Sequence, residues 1–184
     1  MSGGSAKRVE TIERGLARWR VPLGFMAAVL VLRFASPTVS SLLWGLVVGL
    51  AGEVIRVWAA GHVEKGREVT KSGPYRYTRH PLYVGSTVMA VGLGIAAANL
   101  VVTVLITVYV VLAIGAAIRT EEATLRARFG SEYDDYASGR VRGGERRFSL
   151  QRAIRNREYR AVLGMSAVMC LLALKAWGYW PGAV

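Results

Sequence analysis

The sequence predicts an all-α integral membrane protein with about five transmembrane helices. Three observations carry that expectation. Of 184 residues, 53% are hydrophobic and only 20% charged, too little polar surface for a water-soluble domain of this size. The apolar residues gather into stretches near the roughly 20 residues that a helix needs to cross the hydrocarbon. Finally, 24 Lys and Arg against 12 Asp and Glu give a net charge of +12, and most of the positive charge lies outside the apolar stretches.

The expected spans are residues 19–35, 38–60, 82–98, 100–118 and 161–180. The first follows a polar, basic segment, contains Pro22 and lacks a small-residue cleavage site, so a cleaved signal peptide is not expected. Ser36-Pro37 separates it from the second span, because proline lacks an amide donor and disfavours helix in the residue before it. In the second span Gly45 and Gly49 stand four residues apart, with Gly52 beyond, the spacing that lets two helix backbones approach in lipid. The third span is short. Only Asn99 divides it from the fourth, which predicts a tight helical hairpin. The single cysteine, Cys170, excludes an intramolecular disulfide or a cysteine metal cluster and reads as a buried small apolar side chain. No metal site is expected.

With the amino terminus in the cytoplasm, segments 1–20, 61–81 and 119–160 hold 21 of the 24 Lys and Arg, leaving Arg33, Arg56 and Lys175. This is the positive-inside pattern. It accounts for the basicity without a nucleic-acid partner and predicts a bacterial inner-membrane protein with its carboxyl terminus outside. The chain reads as one domain over 1–184, with a basic interfacial segment at 140–160. Within it, the stretch from Phe148 to Arg160 reads as a helix lying on the anionic inner leaflet.

Ionisable groups inside spans are rare and usually mark a site. Glu53 and Arg56 in the second span share a helix face and can pair. At the mouth of the third span, residues 71–85 crowd Gly73-Pro74, Tyr75, Tyr77 and Tyr83, Arg76 and Arg79, His80 and Pro81. Pro81 suits the first helical position and holds His80 extended just before it, beside free helix-start amides that favour a carboxylate. After the fourth span come Arg119, Glu121 and Glu122. Adjacent helical residues point about 100° apart, so the two glutamates cannot both face one ligand group.

Together these residues resemble the isoprenylcysteine carboxyl methyltransferase and phospholipid methyltransferase superfamily of integral membrane enzymes. The resemblance covers roughly residues 52–136. It rests on Gly52-Glu53 with Arg56, on Val69 to Tyr75, on Arg79-His80-Pro81-Leu82-Tyr83-Val84-Gly85, and on Arg119-Thr120-Glu121-Glu122 with Phe129-Gly130, Tyr133 and Tyr136. It implies S-adenosylmethionine as cofactor, entering from the cytoplasm, and a lipophilic or membrane-embedded methyl acceptor reaching the site from the bilayer.

Carried over by position, Arg79, His80, Pro81, Tyr83, Glu121 and Glu122 belong to the cofactor pocket, and Glu53, Arg56 and Arg119 to the acceptor side. The cofactor's chemistry agrees. A glutamate can accept from ribose hydroxyls or the ammonium, Arg79 or His80 can take the carboxylate, and Tyr77 or Tyr83 can meet the adenine or the sulfonium. Arg119 or Arg56 is expected to bind an anionic acceptor, and no dedicated general base is evident. The chain departs from the family after Tyr136, where it reads Ala137 to Gly144 without the family's frequent proline, and in carrying the extra span 161–180. Two other readings exist. An NADPH-dependent membrane reductase of related fold would need more spans and a basic pocket for a 2′-phosphate, and a non-enzymatic scaffold would leave the polar cluster without a role.

Overall fold

The computed structural model describes residues 29, 31–141 and 143–178. Among them the elements are α1 (Val39–Ala60), a 3-10 turn (Gly73–Arg76), α2 (Pro81–Ala97), α3 (Leu100–Phe129), α4 (Ser131–Ala137), α5 (Leu150–Arg155) and α6 (Tyr159–Ala176). Three of these, α1, α3 and α6, are long and apolar enough to cross a membrane, and α2 is a shorter apolar helix. The fold is an all-α integral membrane protein. The first expected span, 19–35, lies mostly outside the described residues, of which 31–34 are helical.

Each helix start has a local cause. Thr38 caps α1: its hydroxyl accepts from the Ser41 amide at 3.1 Å, and the Ser41 hydroxyl accepts from the Thr38 amide at 2.9 Å. This satisfies two otherwise orphaned donors. Pro81 opens α2 as expected, while His80 before it, at φ −130° and ψ 56°, is not extended as expected and makes no side-chain cap bond, its ring being drawn to Glu122. Ala98 then turns the chain through the left-handed region at φ 48°, and Asn99 caps α3 by accepting from the Val102 amide at 3.1 Å. The hairpin is as tight as the sequence predicts.

The α1–α2 seam is built on glycine. A Cβ placed on Gly52 would lie 2.6 Å from the Met89 amide nitrogen, and one on Gly92 would lie 2.6 Å from the Gly49 nitrogen. The two backbones therefore touch, which only glycine permits at those positions.

α6 is part of the same core. Its Met165, Met169 and Leu172 are buried with Val31, Ala35, Ala96, Ala97 and Val102. Near its far end Lys175 donates to the carbonyls of Leu32 at 2.8 Å and Arg33 at 3.0 Å, which gives its charge partners at that depth. Cys170 corrects the sequence reading, for it is exposed. It follows Met169 on α6, and a step of about 100° per residue turns it from the packed stripe toward lipid.

Two further differences have physical reasons. α3 does not stop at Ile118 but runs 30 residues to Phe129, because nothing between Arg119 and Arg128 breaks a helix and Gly130, at φ 50°, ends it. At 1.5 Å per residue it is about 45 Å long, against a hydrocarbon thickness near 30 Å, so its last third stands beyond the membrane. The stretch from Phe148 to Arg160 is not one helix. α5 ends at Arg155, and Arg157, at φ 60°, breaks the chain before α6. Loop 61–80, the polar end of α3, α4 and α5 all gather at the end of the bundle opposite the Asn99 turn.

Candidate functional site

The polar end of α3 and loop 61–80 enclose a cavity of about 890 Å³. Its floor comes from α3, its rim from Glu64, Lys65, Glu68 and Thr70, and its inner wall from Tyr75, Arg79 and Tyr83. Arg119 and Glu121 face it from α3, with Arg128 and Tyr133 at the lower edge.

Tyr75 is held from behind. The Tyr136 hydroxyl donates to its carbonyl at 2.8 Å, and Tyr136 and Tyr133 pack with Val69 in a small second core flanked by Leu125 and Phe129. Burial pushes the Tyr75 phenol well above its usual range, so it stays neutral and offers a flat aromatic face and a hydroxyl. Lys71 ties the same loop to α4 through Glu132 at 3.0 Å.

The adjacent glutamates divide as helical geometry requires. Glu121 lines the cavity, while Glu122 points to the start of α2. There it lies 3.0 Å from His80 Nε2 and 3.2 Å from Arg79 Nη1, with Arg126 at 3.4 Å on its other oxygen. A carboxylate only accepts, so the His80 Nε2 carries the proton in this contact. The His80 hydrogen bond first, then Arg79, His80 and Arg126 as charges, hold the Glu122 carboxyl below its ordinary value. The group sits in the part of α3 beyond the hydrocarbon.

Of the sequence-derived residues, Arg79, Tyr83, Glu121 and Arg119 line the cavity. His80 and Glu122 stand behind it as a linked pair, and His80 also packs on Tyr83 with ring centroids 5.8 Å apart. Pro81 is buried at the helix start. Tyr77 lies elsewhere, 81% exposed and beside Trp58.

Glu53 and Arg56 are not brought to the cavity, and the ion pair expected between them does not form. Arg56 Nε instead donates to Glu158 at 2.6 Å, and its Nη1 reaches Ser86 Oγ and the Leu82 carbonyl. Glu53 is buried, with both carboxylate oxygens unpartnered, against an apolar groove of Leu50, Val54, Val57, Trp58 and Phe148. Sequence reasoning missed Glu64, Glu68 and Tyr109 of the cavity lining. Tyr109 had a signal, since it is the single aromatic residue within the fourth apolar stretch. The loop carboxylates had none, because charged residues between spans are ordinarily solvated.

The phospholipid methyltransferase family matches residues 55–132. The chain is 36% identical over 128 residues to the cobalt-zinc-cadmium resistance protein CzcN of Cupriavidus metallidurans, covering 65% of this chain and 58% of that protein. It is 37% identical over 105 residues to a probable protein-S-isoprenylcysteine O-methyltransferase of Oryza sativa subsp. indica, covering 50% and 55%. It is 34% identical over 86 residues to the protein-S-isoprenylcysteine O-methyltransferase of Schizosaccharomyces pombe, covering 47% and 36%. The chain thus spans about half the length of the curated relatives it matches. No solved structure matches it. The family match takes in both halves of the cavity, from Arg79 and Tyr83 to Arg119 and Glu121, and over this core the chain is similar to the phospholipid and isoprenylcysteine carboxyl methyltransferases.

Proposed function

We propose that the protein is an integral membrane methyltransferase that takes its methyl group from S-adenosylmethionine and delivers it to a lipophilic acceptor drawn from the bilayer. The observation that carries this reading is the two-part character of the cavity. Its outer part is polar, with Arg79, Glu121 and Glu64 beside the aromatic faces of Tyr75 and Tyr83. The inner part is an apolar lane on α3, formed by Tyr109, Leu112, Ala113, Ala116 and Ala117. From Arg119 to Tyr109 this lane runs about 15 Å at 1.5 Å per residue, into the depth of the hydrocarbon.

The residues fit the cofactor. The volume of about 890 Å³ lies in the range of about 300–1,000 Å³ usual for small-molecule sites. Glu121 would accept hydrogen bonds from the ribose hydroxyls or the ammonium, Arg79 would take the carboxylate, and Tyr75 or Tyr83 would flank the adenine. When bound, S-adenosylmethionine supplies a methyl group made electrophilic by its sulfonium. The chain's task is then to orient the acceptor and exclude water, since in-line displacement depends on bringing the reacting atoms to roughly 3–3.5 Å. Arg119 stands where the polar part meets the lane. A guanidinium stays protonated and only donates, so it would hold an anionic head group and would not remove a proton. Positive-inside counting supports a mouth that opens to the cytoplasm.

Calorimetry on the detergent-purified protein tests the reading. S-Adenosylhomocysteine is expected to bind saturably and, at about a hundredfold over its Kd, to stabilise the fold by about 2.7 kcal/mol, whereas NADPH should do neither. The reverse pattern would support the reductase. Native membranes incubated with methyl-labelled S-adenosylmethionine, with and without the protein, would then identify the acceptor by the labelled lipid.

A further inference from the structure

Beyond the matched core, which ends at residue 132, the chain turns back and runs across loop 61–80. Its contacts there are to the cavity-lining residues Val63, Glu64 and Glu68 and to the backbone beside them. Arg146 donates to Glu68 at 2.6 Å and to the His62 carbonyl at 3.3 Å. Arg152 donates to Glu64 at 2.9 Å and to the Gly61 carbonyl at 2.5 Å, and Arg155 adds a second bond to the same Glu64 oxygen at 2.8 Å. Asn156 caps the end of α1 by donating to the carbonyls of Ala60 at 2.9 Å and Val63 at 3.0 Å. In the opposite direction, Arg76 of the 3-10 turn donates to the Gly144 carbonyl at 2.5 Å.

Glu64 and Glu68 thus have two faces, one lining the cavity and one receiving arginines from outside. The arginine hydrogen bond first, then the neighbouring guanidinium charges, hold the Glu64 carboxyl below its ordinary value. Both arginines meet one Glu64 oxygen, which leaves the other oxygen as an acceptor, so the arginines fix where that acceptor stands. An apolar contact transmits the same constraint inward. Phe148 packs on His62 with ring centroids 6.1 Å apart, and the His62 ring lies directly under Gly73, where a Cβ would meet it at 2.6 Å. Gly73 opens the turn that carries Tyr75. The segment outside the family match therefore grips the wall at its carboxylates, its carbonyls and its turn.

We propose that residues 143–156 form a clasp that sets the position of the cofactor wall, with Arg146 and Arg152 as positioning residues acting through Glu68 and Glu64. The proposal rests on the methyltransferase reading for its ligand but not for its structural arm. The arginines touch no cavity volume themselves. Removing them frees loop 61–80 and weakens cofactor binding, while the α1–α2 seam and the acceptor lane stay in place.

The double variant Arg146→Gln/Arg152→Gln is compared with the wild type by hydrogen exchange of the 61–80 amides, by S-adenosylhomocysteine calorimetry and by turnover at saturating S-adenosylmethionine. Faster exchange confined to 61–80, a Kd raised at least about tenfold, and kcat within about twofold are expected, since wall contacts made equally in the ground and transition states set affinity and leave kcat unchanged. A covalent substitute separates positioning from general stability. A Cβ on Gly144 lies 3.4 Å from that of Ser72, close to the roughly 3.5–4.5 Å of a disulfide. Ser72→Cys/Gly144→Cys, with Cys170→Ala, placed on the double variant should restore slow exchange and tight binding when oxidised and lose both on reduction.

Unchanged exchange and affinity in the double variant would overturn the clasp, as would losses that the oxidised pair does not repair. Should the double variant fail to fold, Arg155→Gln is the milder probe, its side chain being 60% exposed, and the same pattern at about threefold is expected from loss of one of the two arginines on Glu64. A wild type that binds no S-adenosylhomocysteine would sink the methyltransferase reading, while the exchange arm would still decide the clasp.

Discussion

Glu121 and Glu122 are neighbours in sequence with different surroundings, and their substitutions should differ in kind. Glu121 faces the cavity, whereas Glu122 is spent on His80, Arg79 and Arg126. On the proposed function, Glu121→Gln removes a charged acceptor from the cofactor and should weaken S-adenosylhomocysteine binding by about 1.5–3 kcal/mol, the usual value of a hydrogen bond to a charged group. Glu122→Gln acts at one remove, by releasing Arg79, and should cost about tenfold, or ~1.4 kcal/mol. A double-mutant cycle tells them apart. In an Arg79→Ala background the Glu122→Gln effect should largely vanish and the Glu121→Gln effect persist, and equal persistence of both would place Glu122 on the ligand instead. The division of this pair was legible in the sequence, because adjacent helical residues cannot face one group. The partner of Arg56 was not, since Glu158 lies 102 residues away and no local spacing points to it.

At the scale of elements, the seam and the clasp show two ways of fixing a site. The glycines of α1 were legible, because close approach in lipid demands small residues at four-residue spacing, whereas the α2 glycines that meet them were not read from the sequence. Valine at Gly52 would drive its Cβ into the Met89 nitrogen and the Gly85 carbonyl, 2.6 and 2.7 Å away. These are backbone atoms that cannot move aside, so a cost near the upper end of the usual 1–3 kcal/mol for overpacking is expected. In thermal unfolding that is a fall of roughly 6–12 °C at this chain length. Gly115→Ala, which meets nothing within 4 Å, should instead raise the midpoint by about 1–4 °C, since glycine in a helix interior costs about 0.5–1 kcal/mol against alanine. The clasp was illegible because each of its ion pairs joins residues remote in sequence, such as Arg146 with Glu68. Its charge gives a pH signature. Glu64 is held below its ordinary value of 4.5, so its contribution is complete above that pH and is lost as pH falls through the lower folded value. Wild type should lose stability more steeply below about pH 4.5 than Glu64→Gln does, and parallel profiles would mean the pair adds nothing.

At the scale of the whole molecule, one helix serves two solvents. α3 outruns the hydrocarbon, so a single rigid rod carries Glu121 and Arg119 in the aqueous mouth and Tyr109 at membrane depth. A polar ligand and an apolar one can thereby meet on one face without either crossing the other's medium. The small side chains of Ala113, Ala116 and Ala117 keep that face open, and the lane was not legible beforehand because any alanine in a span reads as packing. Filling it should therefore separate the two ligands. Ala113→Phe adds a ring to the lane wall without touching Arg79, Tyr83 or Glu121, and α3 borders lipid there, so the ring needs no buried space in the core. S-Adenosylhomocysteine affinity is expected to stay within about twofold, because its partners are unaltered. Turnover of the lipophilic acceptor at fixed concentration should fall by about tenfold or more, since misplacing a reactant by about 1 Å costs up to a hundredfold, and the loss should deepen as the acceptor's apolar chain lengthens. Turnover independent of chain length would place the acceptor outside the lane and leave the apolar half of the cavity as a lipid-facing surface alone.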